Sequence, residues 1–289
     1  EICACLVGSE MCIRDRSNSV RAIMQDKYGF LWIGTEEGLN RYDGIMIKSY
    51  SICPQAAGKY ISSLYGTKKN IWIGTDEGIY IYAYATETFT YFDLTTPNNV
   101  RITSIVNHIL QDKDGNLWFS TNGQGLFRYN LSKNYLEQYE FTSAFGIVAS
   151  TMADSDNQIW ALTNQGESGV YKLNKAENKF EPFGLLYNAG NHHSQALAML
   201  EDSEQTLWLG TWECGLQKID KYTRQTTTYL HPTDGKGVTH IHSLMEYAPH
   251  QLLIGSDDGL LLFNTLTEEY KLFTENETVP NSLSNRFVY

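Results

Sequence analysis

Hydrophobic and polar positions along this chain alternate in short runs that stop at turns rich in Gly, Asp and Asn. SVRAIMQD (19–26) alternates as a half-buried strand does, Lys27-Tyr28-Gly29 interrupts it, and LWIGT (31–35) reads as a second strand. Glu36-Glu37-Gly38 is a tight turn, LNRYD (39–43) a third strand, Gly44 another turn, and IMIKSY (45–50) a fourth strand. The LWIGT element then returns as IWIGT (71–75), LWFST (117–121), IWALT (159–163), LWLGT (207–211) and LLIGS (252–256). Its second position holds Trp32, Trp72, Trp118, Trp160, Trp208 and Leu253, at intervals of 40, 46, 42, 48 and 45 residues. Helical repeats of this length need an apolar period of about 3.6 residues, which is absent, and leucine-rich or ankyrin units are shorter.

An interval of ~40–50 residues with four strands per unit is the signature of a propeller blade. The predicted fold is therefore all-β: a β-propeller of four-stranded antiparallel blades, at about 17–52, 58–95, 101–142, 145–184, 193–232 and 238–274. NSLSNRFVY (281–289) reads as a turn and the opening strand of a seventh blade. The expected architecture is six full blades plus that strand, a truncated ring with seven blades when complete, since propellers avoid exposed edges by closing. Residues 1–16, EICACLVGSEMCIRDR, match no repeat and read as a non-native, adaptor-like segment, leaving 17–289 as the propeller.

Recurrence assigns structural roles before functional ones. A Trp in the second strand of blade after blade is explained by packing between neighbouring blades, each indole burying ~150–250 Å². Glycine recurs in the following turn as Gly38, Gly78, Gly125, Gly169, Gly215 and Gly259, where a tight turn favours positive φ. The Asp six residues before the Trp (Asp26, Asp112, Asp154, Asp202; Tyr247 in the sixth unit) is expected to accept backbone N–H groups of its own turn.

Composition narrows the partners. The chain has 33 Asp and Glu against 22 Lys and Arg, with no basic stripe, which argues against nucleic acid. Three of the five cysteines, Cys3, Cys5 and Cys12, lie in the first sixteen residues without zinc-like spacing. His240 and His242 alternate on one strand, but no further ligand completes a metal set, and neither metal nor cofactor is expected.

The run from Asp26 to Asp43, DKYGFLWIGTEEGLNRYD, closely resembles the two-component-regulator propeller repeat, as do in part the segments around Trp72, Trp118 and Trp208. The resemblance covers Ser17 to Tyr289. It implies the periplasmic sensor region of an inner-membrane hybrid two-component protein that responds to glycan-derived oligosaccharides. In such proteins two propellers and a small β-sandwich precede a membrane helix and a histidine kinase, and the full-length protein is a homodimer. On that view this part carries no catalysis and touches no nucleic acid. Family ligand contacts are attributed mainly to the second propeller or to the junction between the two.

Propeller ligands usually meet the face made by the turns between second and third strands and by the connections between blades. Those turns carry Glu36 and Glu37, Asp76 and Glu77, Asn122 and Gln124, Asn164 and Glu167, Trp212 and Glu213, and Asp257 and Asp258. Trp212 stands out as an aromatic where other units are polar; with Glu213 beside it, it suits a sugar ring. Tyr187, in the long connection 185–194 with His192 and His193, is expected nearby. Arg21, Asn107 and His242 align at one position of the first strand and are expected to line the central channel. A glycoside hydrolase or lyase would need paired carboxylates set apart from the repeat, and none is singled out. A protein–protein scaffold is the alternative to a sensor.

Overall fold

The computed structural model describes residues 19–52, 59–141, 146–163, 169–185, 195–231, 238–275, 282–283 and 286–288. Among them every regular element is a strand, and the strands form six four-stranded antiparallel sheets, each following chain order. The sheets cover 20–50, 61–91, 106–139, 148–185, 196–229 and 241–273. They divide between two compact units, one ending at Glu140 and the other starting at Phe141, three sheets in each.

The Trp series sits where the spacing predicts. In the first unit Trp32 is fully buried against Ile61, Ile71 and Ile73 of the second sheet. Trp72 packs with Val106, Ile109, Leu117 and Phe119 of the third. In the second unit Trp160 meets Ala196, Leu207 and Leu209, and Trp208 meets Ile241, Leu252 and Ile254. Each of these indoles thus fills the interface with the next sheet along. Where a glycine stands two places after the Trp, it lets that sheet approach: a Cβ on Gly34 would come within 2.5 Å of Ile61, and one on Gly210 within 2.5 Å of Ile241.

The recurring Asp does more than cap its turn. Oδ1 of Asp26 accepts the N–H groups of Tyr28 (2.9 Å) and Phe30 (3.0 Å), while Oδ2 accepts the indole N–H of Trp32 at 2.8 Å. The same tether joins Asp112 to Trp118 (2.8 Å), Asp154 to Trp160 (3.0 Å) and Asp202 to Trp208 (2.7 Å). A buried indole N–H needs an acceptor, and the turn supplies it. In the second sheet the turn is one residue shorter. Thr67 takes the place of Asp26, donating its N–H to the Asn70 carbonyl as Asp26 does to Phe30. Its hydroxyl bonds only within that turn, and Trp72 Nε1 is left without a partner among the described residues. The sixth sheet has Leu253 and Tyr247 in place of the indole and the carboxylate.

Gly38, Gly78, Gly125, Gly215 and Gly259 all have positive φ (142°, 114°, 77°, 67° and 137°), as the turn requires. Just before each, a hydroxyl closes the turn: Thr35 donates to the Gly38 carbonyl (3.0 Å), Thr121 to Gly125 (2.6 Å), Thr211 to Gly215 (2.7 Å) and Ser256 to Gly259 (2.9 Å). Of 281–289, Leu283 bridges Glu275, and Val288 donates its N–H to the Ser256 carbonyl (3.0 Å). Val288 lies against Gly255 much as Ile61 lies against Gly34 and Ile241 against Gly210. Residues 1–16 lie outside the described residues.

Candidate functional site

Most of the polar residues in the turns between second and third strands are engaged by the chain's own entry into the same sheet. Glu36 accepts from Arg21 Nη2 (2.5 Å) and Nε (3.1 Å). Glu77 pairs with Lys59. The Gln124 side chain accepts the N–H groups of Thr103 (2.8 Å) and Ser104 (3.0 Å) and donates to the Arg101 carbonyl (2.9 Å). Asp258 accepts the N–H (2.8 Å) and hydroxyl (2.9 Å) of Thr239. These side chains staple connections. Asn122 remains exposed at its turn, with its N–H donated to the Ile105 carbonyl (2.9 Å). Asn164, Glu167, Tyr187, His192 and His193 lie outside the described residues.

The fifth sheet differs. Trp212 keeps 39% of its surface exposed, whereas the five tryptophans of the repeat are buried. Its backbone is fixed at both ends: its N–H donates to the Gln195 carbonyl (2.9 Å), and its own carbonyl accepts the His240 N–H (3.1 Å). The His240 ring stacks on the indole with centroids 3.8 Å apart and planes 26° from parallel. His242 presents its edge at 6.4 Å. Asp257 ties both imidazoles, through His240 Nδ1 on one oxygen and His242 Nε2 (2.8 Å) on the other. A carboxylate can only accept, so the protons sit on His240 Nδ1 and His242 Nε2. Burial opposes the charge on Asp257, but the hydrogen bonds from His240 and His242 and the charges of both rings outweigh it, holding the carboxyl below its ordinary range.

Local backbone geometry makes this convergence possible. His242 is the extra residue of a β-bulge between the pairs Ile241↔Ser256 and Ser243↔Gly255, and bulges re-aim a side chain. The same bulge recurs in the first strand of every sheet, at Arg21, Ser62, Asn107, Ala149, Leu197 and His242. The sequence alignment of Arg21, Asn107 and His242 is thus an alignment of bulges, with Arg21 and Asn107 in the first unit and His242 in the second. His240 has φ 48°, a left-handed conformation that His adopts more readily than most residues.

The cluster therefore offers an aromatic surface held by two imidazoles and a shared carboxylate, with Glu213 next in the chain. An indole can stack on the apolar face of a sugar ring while nearby polar groups bond its hydroxyls. Among the described residues no three His, Cys, Asp or Glu side chains gather as a metal site. Trp212 was legible as an outlier in the repeat. Its partners His240 and Asp257 carry no comparable mark in the sequence beyond the His-x-His alternation.

The chain matches the family model of the two component regulator propeller at residues 15–37 and 100–123. Histidine kinase P4 of Formosa agariphila is 25% identical over 277 residues, covering 90% of this chain and 20% of that protein. The extracellular domain of BT3049 from B. thetaiotaomicron, ascribed to a hybrid two component system, superposes with a TM-score of 0.76 at 24% identity, covering 94% of this chain and 36% of that one. That of BT4673 from the same organism gives 0.77 at 23%, covering 93% and 34%. This chain spans a fifth of the kinase and about a third of those domains. The structural likeness identifies the fold as that of a β-propeller.

Proposed function

From the premise that this chain carries two component regulator propeller repeats, we propose that it is a sensor propeller of a histidine-kinase signalling protein. It lies on the outer side of the cytoplasmic membrane, and its ligand is an oligosaccharide bound without turnover. A second propeller, a β-sandwich and the kinase belong to the rest of that protein, which acts as a homodimer. The match to the family model and the likeness to histidine kinase P4 support the sensor role. The observation that carries the ligand class is Trp212: an exposed indole on the turn face of a chain whose other tryptophans are buried. Glu213, His242 and Asp257 are the polar groups nearest in the fold or the sequence to bond sugar hydroxyls.

Screening the purified chain against defined oligosaccharides, by calorimetry and by product analysis, tests this reading. Saturable binding with no product, lost at least tenfold in Trp212→Ala while the melting temperature holds, is the expected result. Product formation points to a hydrolase or lyase instead. Absence of binding across the panel points to a protein–protein scaffold. Unchanged affinity in a folded Trp212→Ala variant removes Trp212 from the site.

A further inference from the structure

An exposed aromatic on a turn binds poorly if its ring must be ordered on each encounter, because immobilising a side chain costs binding free energy. Trp212 avoids that cost through a chain of contacts. Its backbone is bonded on both sides, and one face of its ring is covered by His240 at 3.8 Å. His240 in turn is held by Asp257, and Asp257 is held from its other oxygen by His242. His240 also takes up a left-handed backbone conformation, φ 48°, to reach that position. Unusual backbone of this kind persists where the surroundings over-determine it, and it is concentrated at binding sites.

We propose that His240, anchored by Asp257, is the positioning residue that holds Trp212 ready for its ligand, and that the grip tightens in acid. The inference rests on the reading of Trp212 as a ligand-stacking residue. Histidine is the side chain whose charge ordinarily changes between about pH 5 and 8. A proton added to the His240 ring strengthens both of its contacts. The stack on the indole becomes a cation–π contact, and the bond to Asp257 becomes charge-assisted from both sides.

Among the described residues, four charged or titratable groups adjoin this ring. Asp257 comes from the turn between the second and third strands of the sixth sheet, and His242 from its first strand. Asp258 follows Asp257 but is engaged by Thr239. Glu213 adjoins Trp212 from the fifth sheet. Since the stack covers one face of the indole, the ligand ring meets only its remaining exposed surface. The site then takes a single sugar ring on Trp212 rather than one clasped between two aromatics.

The test needs no ligand in its first arm. Acrylamide quenching of the Trp212 emission, isolated by subtracting the Trp212→Phe variant, is followed from pH about 5 to 8, the imidazole range. Quenching is expected to rise as the pH is raised, with the freed population growing about two- to fivefold, the size of an exposed cation–π contact. His240→Asn tolerates the left-handed backbone and can still donate to Asp257, but it cannot stack or titrate there; it should be readily quenched at every pH. Asp257→Asn should lose most of the step, and His242→Gln should keep it. Melting temperatures of all variants verify that they fold. A pH-independent wild type, or the same step in His240→Asn, overturns the proposal.

In the second arm, the tightest-binding oligosaccharide of the panel should bind about two- to fivefold more tightly at the acid end than at the alkaline end. In His240→Asn that difference should vanish. The quenching step without any oligosaccharide binding sustains the positioning role and sinks the sugar reading. Binding that needs Trp212 but is indifferent to His240 does the reverse.

Discussion

Replacing Asp26 with Asn exchanges one carboxylate oxygen for an NH₂ group and tests whether the recurring carboxylate is a turn cap or an indole tether. Asp26 is buried and accepts three hydrogen bonds, two from turn N–H groups and one from Trp32 Nε1 at 2.8 Å. An amide has one oxygen. If it faces the turn, its NH₂ confronts the indole N–H; if it faces the indole, the NH₂ confronts Tyr28 and Phe30. Either way a buried or half-buried donor loses a charged acceptor, which costs about 1.5–3 kcal/mol. For a domain of this size that is a fall in melting temperature of roughly 3–10 °C by calorimetry or circular dichroism. The double-mutant cycle with Trp32→Phe isolates the tether, because phenylalanine has no N–H to satisfy. In that background Asp26→Asn should be milder by about 1–2 kcal/mol. Full additivity, or an unchanged melting temperature in Asp26→Asn, would refute the tether and leave only a turn.

Three further outcomes follow from the same geometry. Thr67→Asp places a carboxylate at the position equivalent to Asp26 in the one sheet where the indole N–H lacks a partner, and should raise the melting temperature by about 2–4 °C, equivalent to ~1 kcal/mol; a fall would mean the shorter turn cannot aim it. Lys221 is buried beside Glu201 (2.5 Å) and Asp154 (3.7 Å), and although burial opposes its charge, the Glu201 hydrogen bond and the neighbouring carboxylates raise its pKa. Lys221→Met should therefore cost about 3–5 kcal/mol near neutral pH by leaving carboxylates buried and uncompensated, and a urea midpoint within error of wild type would contradict this. Burial pushes the His108 imidazole down to about 4. The unfolded chain then binds the extra proton first, so this contribution to stability falls as pH drops through about 6.5 and on toward 4. His108→Gln should flatten that limb of the urea midpoint against pH, and an unchanged slope would assign it to other groups.

The fold was legible because a blade repeats its physics. The Trp recurs with a turn Gly six to nine residues on, and in four of the six units with a Gly two places on (Gly34, Gly74, Gly210, Gly255), and each marks a burial, a close approach or a positive φ. The second oxygen of the Asp was not legible, since one-dimensional spacing shows that a carboxylate and an indole recur together but not that they touch. In the second sheet the offset itself misleads: with one residue fewer in the turn, position 66 is Gly66 and the structural equivalent of Asp26 is Thr67. At the candidate site the outlier Trp212 could be found against the background of its repeat. Its partners could not, because His240 depends on a left-handed residue and His242 on a bulge, and neither leaves a residue type that forces it. The turn acids suggested a polar ligand face. The structure shows Glu36, Glu77 and Asp258 bound instead to Arg21, Lys59 and Thr239 of the incoming chain.

The central claim is a division of labour among six indoles, five structural and one exposed for ligand. It is tested most directly by the indole region of a ¹H–¹⁵N correlation spectrum, assigned with Trp→Phe variants and followed in deuterium exchange and oligosaccharide titration. The account predicts slow exchange for Trp32, Trp118, Trp160 and Trp208, fast exchange for Trp212, and the largest ligand-induced shift at Trp212 alone. Exchange at Trp32 as fast as at Trp212, or a titration that moves a buried indole and leaves Trp212 still, would contradict it.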